Sequence, residues 1–370
     1  MKKAVIITNI PAPYSVDLYN AIEKNASDIE LSVVFSAMQR ENRQWKIDRS
    51  KIKNLYSLNS YILKRKDGDY IRYIHIPKGT WETLNRINPE ILLVYEYNIT
   101  SLISLLWAKI KKRKFIHITE GTLWSEINIS FFQKILRHLI LRNSDFCIAC
   151  SSKSREKLIK WNVPKEKIKV ILLTSDITKY KESRNNRKIM NDYRILYVGS
   201  IEKRKGIDLL IKAMKNVPDT GNLTISIVGN GDAAYIDAIL ELIKKEKIKA
   251  NIEFPGFLEG EELIREYQSA DLFVFPSRSD CYGLVLVEAY CAGLPIVTSI
   301  YADGAYDVVE EGINGKFVNP YNSIEFGNAI AEVLNRNIYK INASNMSVTK
   351  FEIDTEAKGF IDIIRKYVRN

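Results

Sequence analysis

Cysteine is scarce in this sequence, with four residues in 370, and this scarcity excludes a disulfide framework. Cys147 and Cys150 make a C-x-x-C, but Cys281 and Cys291 lie too far apart in sequence to complete a zinc-ribbon spacing. The stretch DFCIAC is also typical of a buried strand rather than of the loop that opens a redox helix. We therefore expect the cysteines to pack in the interior and to bind no metal.

Long apolar runs are also missing. The longest, ITSLISLLWAKI at residues 99–110, falls short of the roughly 18 to 20 residues that a membrane-spanning helix needs. The basic start KKAVIIT imitates a signal peptide, but Asn9, Pro11 and Pro13 interrupt the apolar stretch and no small-residue cleavage site follows. These absences predict a protein that stays in the cytoplasm.

The basic charge lies in one half of the chain. Residues 1–175 contain 30 Lys and Arg against 16 Asp and Glu, a balance of +14, which leaves 25 against 28, or −3, for residues 176–370. This asymmetry predicts an anionic partner for the first half: a membrane surface, a phosphorylated substrate or a nucleic acid. No RNP-like or helix-turn-helix pattern supports the nucleic acid.

Apolar, strand-like runs alternate with helical stretches along both halves. The runs are KAVIIT, LSVVF, ILLVYEY, KFIHIT, DFCIAC and IKVILL, then RILYVGS, LTISIVGNG, NIEFPGF, DLFVFPS and PIVTSI. Such alternation builds parallel sheets covered on both faces, so we expect an α/β protein with two doubly wound domains, residues 1–175 and 191–345. The polar stretch at residues 176–190 is the predicted linker. Ligands in such sheets bind beyond the carboxyl ends of the strands, and two such ends can face each other across a cleft.

One basic loop, in the stretch YVGSIEKRKGIDLLIKA, joins a strand to a helix. Its turn ends at Gly206, where free helix N–H groups can bind an anion, and Lys203, Arg204 and Lys205 add positive charge beside them. The simpler interpretation is a basic surface loop with Gly206 as a turn residue. Gly229, in SIVGNGDAAYI, follows the next strand, but the third glycine of a dinucleotide fingerprint is missing. This glycine is better suited to a tight turn close to a ligand.

The stretch SDCYGLVLVEAYCAGLP raises a question about one carboxylate. Every side chain in LVLVEAYCAGL is apolar or small except Glu288 and Tyr290, and an unpaired buried carboxylate is costly. Glu288 therefore either has a fixed partner in the protein or faces a cleft and holds a polar ligand. The helix that starts near Gly283 offers free N–H groups to a phosphate, while Asp280 is either its N-cap or a second ligand-binding carboxylate. A nucleotide sugar would supply both phosphates and hydroxyls.

This stretch, D-C-Y-G-L-V-L-V-E followed by A-Y-C-A-G-L-P-I-V, resembles the E-x7-E signature of the retaining glycosyltransferases of family 4. That family has the GT-B fold, in which two Rossmann-like domains face a central cleft. TNIPAPYSVDLYNAI resembles the amino-terminal loop and helix of bacterial polysaccharide members, KIKVILLTSD the strand before the linker, VGSIEKRKGIDLLI the phosphate loop, and GINGKFVNP the stretch after the signature. The resemblance therefore covers nearly the whole chain.

The resemblance implies a role for each residue of the donor site. Glu288 would bind the ribose hydroxyls, Asp280, one methylene shorter than the family's Glu, would contact the sugar ring, and Lys205 would contact the diphosphate. Ser200 stands where the family often has Arg, so Lys203 or Arg204 would share the phosphate charge. The remaining donor contacts would come from Gly229 and from the backbone of Tyr282, Gly283, Leu284 and Val285.

On the acceptor side, the resemblance places Pro13 and Tyr14 of the amino-terminal loop and helix. The family also often has a His at the end of a strand in this domain, near the reacting sugar. Here KFIHITEGT offers His117 inside the strand and Glu120 at its end. Strand alternation points the two side chains to opposite faces. We favour Glu120 as the catalytic residue and interpret His117 as a core histidine, with an acceptor-side His117 as the alternative.

The stretch SFFQKILRHLILR predicts an amphipathic helix over residues 130–142. One face carries Phe132, Ile135, Leu136, Leu139 and Ile140, and the other carries Lys134, Arg137, His138 and Arg142. The commoner interpretation is that the apolar face covers the sheet. In a half with a balance of +14, the basic residues Lys134, Arg137 and Arg142 also make a candidate patch for an anionic membrane leaflet.

We therefore expect a cytoplasmic, retaining, metal-independent glycosyltransferase that binds peripherally at the inner face of the cell membrane. Residues 191–345 would bind a UDP- or GDP-sugar. Residues 1–175 would bind a glycan or undecaprenyl-diphosphate-linked acceptor of cell-surface polysaccharide synthesis, and residues 346–370 would cross back to that domain as a helix.

No D-x-D metal motif lies at a suitable strand end, so no metal or other cofactor is expected. Two alternatives stay open. A nucleotide-sugar 2-epimerase of the same fold would consume the donor without an acceptor. A basic nucleic-acid-binding protein would use its positive charge to bind DNA or RNA.

Overall fold

The computed structural model describes residues 1–38, 51–67, 70–183, 193–218 and 222–368. The chain divides into two compact units, residues 1–176 together with 350–370, and residues 177–349. In these described segments, no helix combines the length and the apolar character that crossing a bilayer requires.

The described part of the first unit forms a seven-stranded parallel sheet in the order β3-β2-β1-β6-β7-β8-β9. Its strands are β1 (Lys2–Thr8), β2 (Ile29–Phe35), β3 (Leu55–Ser57), β6 (Ile91–Tyr95), β7 (Lys114–Thr119), β8 (Phe146–Ala149) and β9 (Ile168–Val170). Its helices are α1 (Pro13–Asn25), α2 (Thr80–Ile87), α3 (Ile99–Ile110), α4 (Phe131–Asn143), α5 (Ser152–Lys160) and α13 (Ile353–Tyr367). β6 and β8 are buried along their whole length, as expected for parallel strands with helices on both faces.

Four elements of this unit lie outside the expected alternation. They are β3, helix α2, and a separate antiparallel pair formed by β4 (Tyr61–Asp67) and β5 (Tyr70–Ile76). The hairpin stretch YILKRKDGDYIRYIHI mixes basic and apolar residues, so it gives no clean signal of a buried parallel strand.

The described part of the second unit forms a six-stranded parallel sheet in the order β12-β11-β10-β13-β14-β15. Its strands are β10 (Tyr193–Val198), β11 (Leu223–Val228), β12 (Asn251–Gly256), β13 (Leu272–Phe275), β14 (Ile296–Ser299) and β15 (Gly315–Val318). Its helices are α6 (Thr178–Ser183), α7 (Ile207–Met214), α8 (Ala233–Glu246), α9 (Gly260–Ser269), α10 (Leu284–Cys291), α11 (Ser323–Asn335) and α12 (Asn337–Asn345). This is the 3-2-1-4-5-6 order of a Rossmann domain, whose strand order reverses between β10 and β13, where ligands bind.

The predicted linker at residues 176–190 is not free of secondary structure. Helix α6 occupies Thr178–Ser183, packs against α9 and α10, and belongs to the second unit. The part of the predicted linker from residue 184 onward lies outside the described residues. A helix this short carries too few apolar residues to produce a periodic pattern.

The last helix, α13, belongs to the first unit and packs against α1. Its apolar face is buried, and Arg365 donates to Asp28 at 2.6 Å on the exposed side of the contact. The Thr174 hydroxyl donates to the carbonyl oxygen of Phe351 at 2.6 Å, just before the helix begins. Residues 346–349 of the predicted returning segment remain with the second unit.

Candidate active site

The loops that follow β10 and β13 lie against each other at the carboxyl edge of the second sheet. A short 3-10 helix at Lys203–Lys205 follows β10, and α7 begins after Gly206. Gly206 has φ +76°, and a Cβ there would lie 2.1 Å from the carbonyl oxygen of Pro276. Only glycine fits this close approach without a shift of the backbone, so the basic loop is held directly beside the loop that carries Asp280.

Asp280 forms the centre of an ion-pair cluster. Lys205 Nζ donates to Asp280 Oδ2 at 2.5 Å, and Arg204 Nη1 donates to the same oxygen at 3.3 Å. The backbone N–H of Tyr282 donates to Asp280 Oδ1 at 3.2 Å. Burial raises the pKa of Asp280, but the charges of Lys205 and Arg204 outweigh it and hold the pKa below its ordinary value. Asp280 is therefore a carboxylate that fixes two cations in one place.

The other basic-loop residues differ in their surroundings. Arg204 also donates to Glu202 at 2.7 Å and to the carbonyl oxygen of Ser279 at 2.9 Å, so its guanidinium has a fixed direction. Lys203 is exposed, and the Ser200 hydroxyl donates to Glu202 at 3.1 Å. Among the four candidates for phosphate contact, Lys205 and Arg204 are thus the two tied to Asp280.

Helix α10 starts after Gly283, which has φ +75° and provides no side-chain cap. The interpretation of Asp280 as the N-cap is therefore wrong, because the cap position lies three residues further along the chain. The first N–H groups of the helix, those of Leu284 and Val285, have no acceptor within a helix. Leu284 and Val285 are half-buried, whereas the Tyr282 side chain is buried.

Glu288 lies one turn into α10, half-buried. Tyr267 Oη donates to Glu288 Oε2 at 2.8 Å, and the Tyr180 hydroxyl also hydrogen-bonds to this carboxylate. Burial raises the pKa of Glu288 above its ordinary value, although both tyrosine hydrogen bonds act to lower it. The carboxylate therefore has fixed partners within the protein, and its side chain stays partly accessible.

Gly229 brings the loop after β11 against the loop after β10. It has φ +145°, and a Cβ there would lie 1.9 Å from the carbonyl oxygen of Gly199. Its contribution to the site is this close backbone approach rather than a side-chain contact.

In the first unit, the residues predicted for the acceptor side lie at the carboxyl edge of the seven-stranded sheet. Exposed Pro13 and half-buried Tyr14 begin α1, after β1, and half-buried Glu120 directly follows β7. The backbone N–H of Glu120 donates to Glu96 Oε1 at 2.7 Å, and its carbonyl oxygen accepts from the Ser154 hydroxyl at 2.9 Å. Glu96 itself has φ +61°, an uncommon conformation for Glu. Two side chains thus fix the backbone of Glu120.

The chain has clear relatives among known sequences, and a family model matches within its second unit. Residues 178–347 match the family model described as Glycosyl transferases group 1. These residues form a glycosyltransferase group 1 domain. An uncharacterized glycosyltransferase of Methanocaldococcus jannaschii is 29% identical over 269 residues, 68% of this chain and 68% of the relative. An uncharacterized 41.2 kDa protein in the cps region of Klebsiella pneumoniae is 26% identical over 262 residues, 69% of this chain and 68% of the relative.

Solved structures match over the whole chain. The crystal structure of Anabaena Alr3699/HepE in complex with UDP and glucose has a TM-score of 0.73 at 18% identity, covering 99% of this chain and 100% of that chain. At this identity the likeness shows the fold alone. It confirms the predicted class of two Rossmann-like domains with parallel sheets, which is the class of GT-B glycosyltransferases.

The group 1 domain contains partners that the sequence motifs did not indicate. Arg278 donates to Asp208 through two nitrogens, at 2.8 and 2.7 Å, and also to the carbonyl oxygen of Lys203. The ion pair between Arg278 and Asp208 connects the start of α7 to the loops after β10 and β13. No local sequence pattern indicates this pair, because the two residues lie 70 positions apart. Tyr180 could have been singled out from the sequence, because it is an aromatic residue in the otherwise polar stretch KYKES.

His117 is fully buried, which overturns its placement on the acceptor side and confirms the core interpretation. Its ring lies 4.4 Å from the Tyr97 ring, and burial, followed by the charges of Lys157 and Arg137, lowers the pKa of His117 well below its usual range. Within the described chain, neither ring nitrogen has a hydrogen-bond partner. A neutral histidine in this position packs against the aromatic ring.

Arg137 is also buried, with 8% of its surface exposed, so it does not belong to the predicted membrane patch. It donates to Glu126 at 2.8 Å and lies over the Tyr97 ring, while Lys157 contacts the other oxygen of Glu126 at 3.1 Å. The predicted orientation of α4 is wrong as well. Ile140 is buried, but Phe132, Ile135 and Leu139 are exposed, because the ion pair turns the Arg137 side of the helix inward. Lys134 and Arg142 are exposed, as predicted.

Three of the four cysteines are buried, as expected, whereas Cys281 is half-buried. Cys147, in β8, and Cys150, directly after it, are buried free thiols. Burial raises the pKa of Cys147 to about 12 and that of Cys150 well above its usual value, so neither is a reactive thiolate at neutral pH. Across the described segments, no group of three or more His, Cys, Asp or Glu side chains is arranged to hold a metal ion.

Proposed function

We propose that the chain is a retaining glycosyltransferase of family 4 that moves a sugar from a UDP- or GDP-sugar to a glycan or lipid-linked acceptor. The observation that supports this most directly is the cluster of Lys205, Arg204 and Asp280 beside the amino terminus of α10. Two oriented cations and a helix amino terminus suit a diphosphate, and Glu288, one turn further, suits the ribose hydroxyls. The group 1 domain over residues 178–347 is consistent with this assignment.

In this reaction the bond between the anomeric carbon and the phosphate oxygen breaks, and the nucleoside diphosphate leaves with the electron pair. The acceptor hydroxyl attacks from the face that the diphosphate leaves, and its proton passes to a phosphate oxygen. Lys205, Arg204 and the α10 N–H groups stabilise the developing charge on the leaving group. Asp280, held ionised, faces the positive charge that develops on the sugar ring. Glu120, with its backbone fixed by Glu96 and Ser154, would position the acceptor.

UDP is the favoured nucleotide, because the solved Anabaena relative holds UDP and glucose. A role in cell-surface polysaccharide synthesis is suggested by the relative from the Klebsiella cps region. The two cations of the basic loop can balance the diphosphate charge, so we propose that transfer needs no metal ion. Activity that persists in EDTA would support this, and activity restored only by a divalent cation would contradict it.

The experiment incubates the purified protein with a panel of UDP- and GDP-hexoses, with and without an undecaprenyl-diphosphate-linked glycan. We expect release of nucleoside diphosphate that depends on the acceptor, and a glycosidic bond with the donor's anomeric configuration by NMR. Inversion of that configuration would refute the retaining mechanism. Isomerised free sugar released without any acceptor would instead identify an epimerase.

A further inference from the structure

Helix α4 and the loop before it present apolar side chains to solvent. We call this surface the α4 face and define it by Phe131 (71% exposed), Phe132 (81%), Ile135 (49%), Leu139 (43%), and the loop residues Leu123 (46%), Trp124 (40%) and Ile127 (65%). Scattered apolar residues are normal on protein surfaces, but several large ones on consecutive turns mark an interaction site.

The charged residues on the same side of α4 are basic. Exposed Lys134 and Arg142 lie together with the four apolar residues of α4 within an arc of about 160° around the helix axis, at 3.6 residues per turn. Glu126 is the only acidic residue between positions 123 and 142. Its side chain is 11% exposed and is neutralised by Arg137 and Lys157. The apolar α4 face therefore has basic residues beside it, and residues 123–142 carry no exposed carboxylate.

The orientation of α4 is fixed from the inside. Arg137, Ile140 and Leu141 occupy the buried side, and the pair between Arg137 and Glu126 would have to break for the helix to turn over. Breaking a buried ion pair is strongly destabilising. The apolar side chains thus stay outward in the folded protein rather than rotating into the core.

The neighbouring helix α3 also exposes large apolar side chains. It packs against α4 and exposes Leu106 (56%) and Ile110 (59%), which are followed by the exposed residues Lys111 and Lys112. Two adjacent helices thus repeat the same combination of apolar and basic residues.

We propose that the α4 face inserts into the headgroup region of an anionic lipid bilayer. An amphipathic helix with large apolar side chains and flanking cations lies in the membrane interface, with its apolar side at the acyl boundary. Charge complementarity favours a bilayer over a protein partner, because Lys134 and Arg142 beside the α4 face share one sign and residues 1–175 carry a balance of +14.

This inference deepens the proposed function and rests on a lipid-linked acceptor. Glu120 directly follows β7, and α4 begins at Phe131 after the loop at residues 120–130, so the first turn of α4 lies at the carboxyl edge that carries Glu120. An acceptor whose lipid stays in the bilayer would present its sugar at that edge while the α4 face holds the protein on the surface.

The test is flotation of the full chain with vesicles of equal parts phosphatidylcholine and phosphatidylglycerol, or of phosphatidylcholine alone. We expect wild type to float with the anionic vesicles at low salt. Phe131→Ser with Phe132→Ser should weaken binding about tenfold or more, because two large inserted rings are lost. The control, Ile338→Ser with Ile341→Ser, removes two exposed apolar residues from α12 and should bind as wild type.

A second pair of variants distinguishes binding through the α4 face from attraction of the whole positively charged protein to the anionic vesicles. Lys134→Glu with Arg142→Glu and the control Lys78→Glu with Arg86→Glu change the net charge equally, and all four side chains are exposed. Binding should fall much more for the α4 pair. Equal losses would mean that only net charge matters and would overturn the docking face.

Insertion of the α4 face into the bilayer can be measured through the fluorescence of Trp124. Brominated lipid should quench the fluorescence of the bound wild type, and Trp124→Phe should lose most of that quenching while still floating. Wild type that ignores anionic vesicles at low salt, or a Phe131→Ser, Phe132→Ser variant that floats normally, would overturn the proposal. A dimer of the wild type in sedimentation velocity that becomes a monomer in this variant would also overturn the proposal, since the α4 face would then join two copies of the chain. UDP binding, measured on every variant, tests the proposed function separately.

Discussion

At Glu288 the protein keeps a carboxylate half-buried in an apolar helix and gives it the hydroxyls of Tyr267 and Tyr180 as partners. The sequence predicted an unusual carboxylate at this position from the apolar residues around it. It could not name the partners, because one lies in the predicted linker and the other 21 residues upstream. Which residues meet across helices α6, α9 and α10 is decided by packing rather than by local pattern.

Glu288→Gln keeps the size of the side chain and removes its charge. Hydrogen bonds from substrate hydroxyls to a charged acceptor are stronger than those to a neutral one, so we expect kcat/KM for the nucleotide sugar to fall about 10- to 100-fold. The fold should persist, as shown by an unchanged circular dichroism spectrum. Glu241→Gln, an exposed change on α8, is the control and should act as wild type. Equal turnover in both variants would remove Glu288 from the donor site.

Glu288 also predicts a pH dependence of stability. Its pKa is raised in the folded protein, so the folded state holds the proton to higher pH than the unfolded chain, where Glu titrates near 4.5. The contribution of Glu288 to the free energy of unfolding therefore falls as pH rises from 4.5 through the folded pKa. Glu288→Gln lacks this titration, so its free energy of unfolding relative to wild type should increase over that interval. Denaturation of both proteins at pH values below and above this interval measures the difference between their free energies of unfolding. A difference that does not change with pH would contradict the raised pKa of Glu288.

At the scale of elements, the close contact between the loops after β10 and β11 can be tested with glycine substitutions. Gly229→Ala places a Cβ 1.9 Å from the Gly199 carbonyl oxygen, whereas Gly312→Ala, also at positive φ (+77°), meets nothing within 4 Å. We expect the first to lower the free energy of unfolding by several kcal/mol and the second by about 1 kcal/mol. Equal losses would show that the two loops do not touch as described.

The buried side of α4 gives a second test of an element. Arg137→Leu leaves Glu126 with Lys157 as its remaining cation and should cost about 3–5 kcal/mol of unfolding free energy, because a buried ion pair loses one member. Arg142→Leu, one turn later and exposed, should change stability by less than about 0.5 kcal/mol. Thermal or urea denaturation distinguishes them. Similar stability of the two variants would contradict the inward orientation of Arg137.

The error over α4 shows where sequence reasoning ends. Periodicity correctly predicted a helix over residues 130–142 and a separation of its residues into two faces. It could not say which face is inward, because that depends on Glu126 and Tyr97, which lie outside the helix. By contrast, the buried strands KFIHIT and DLFVFPS were predictable, since a parallel strand covered on both faces must be apolar along its length.

At the scale of the whole molecule, the alternation of strands and helices was enough to predict two doubly wound units and to place the candidate residues at strand ends. The hairpin β4–β5 and helix α6 were not predictable, because neither stretch of sequence shows a long apolar periodicity of its own. The charge asymmetry, +14 against −3, keeps its interpretation as an anionic partner of the first half. The residues proposed to meet that partner change, from a basic patch including Arg137 to the α4 face.

The central claim is that Lys205, held by Asp280, binds the diphosphate of a nucleotide sugar, and calorimetric titration with UDP and GDP tests it most directly. Wild type should bind one of them, and Lys205→Ala should weaken that binding about 10- to 100-fold through loss of a charge-assisted contact. Lys215→Ala, an exposed change just after α7, should bind as wild type. No binding of either nucleotide by wild type, or equal binding by Lys205→Ala, would contradict the account.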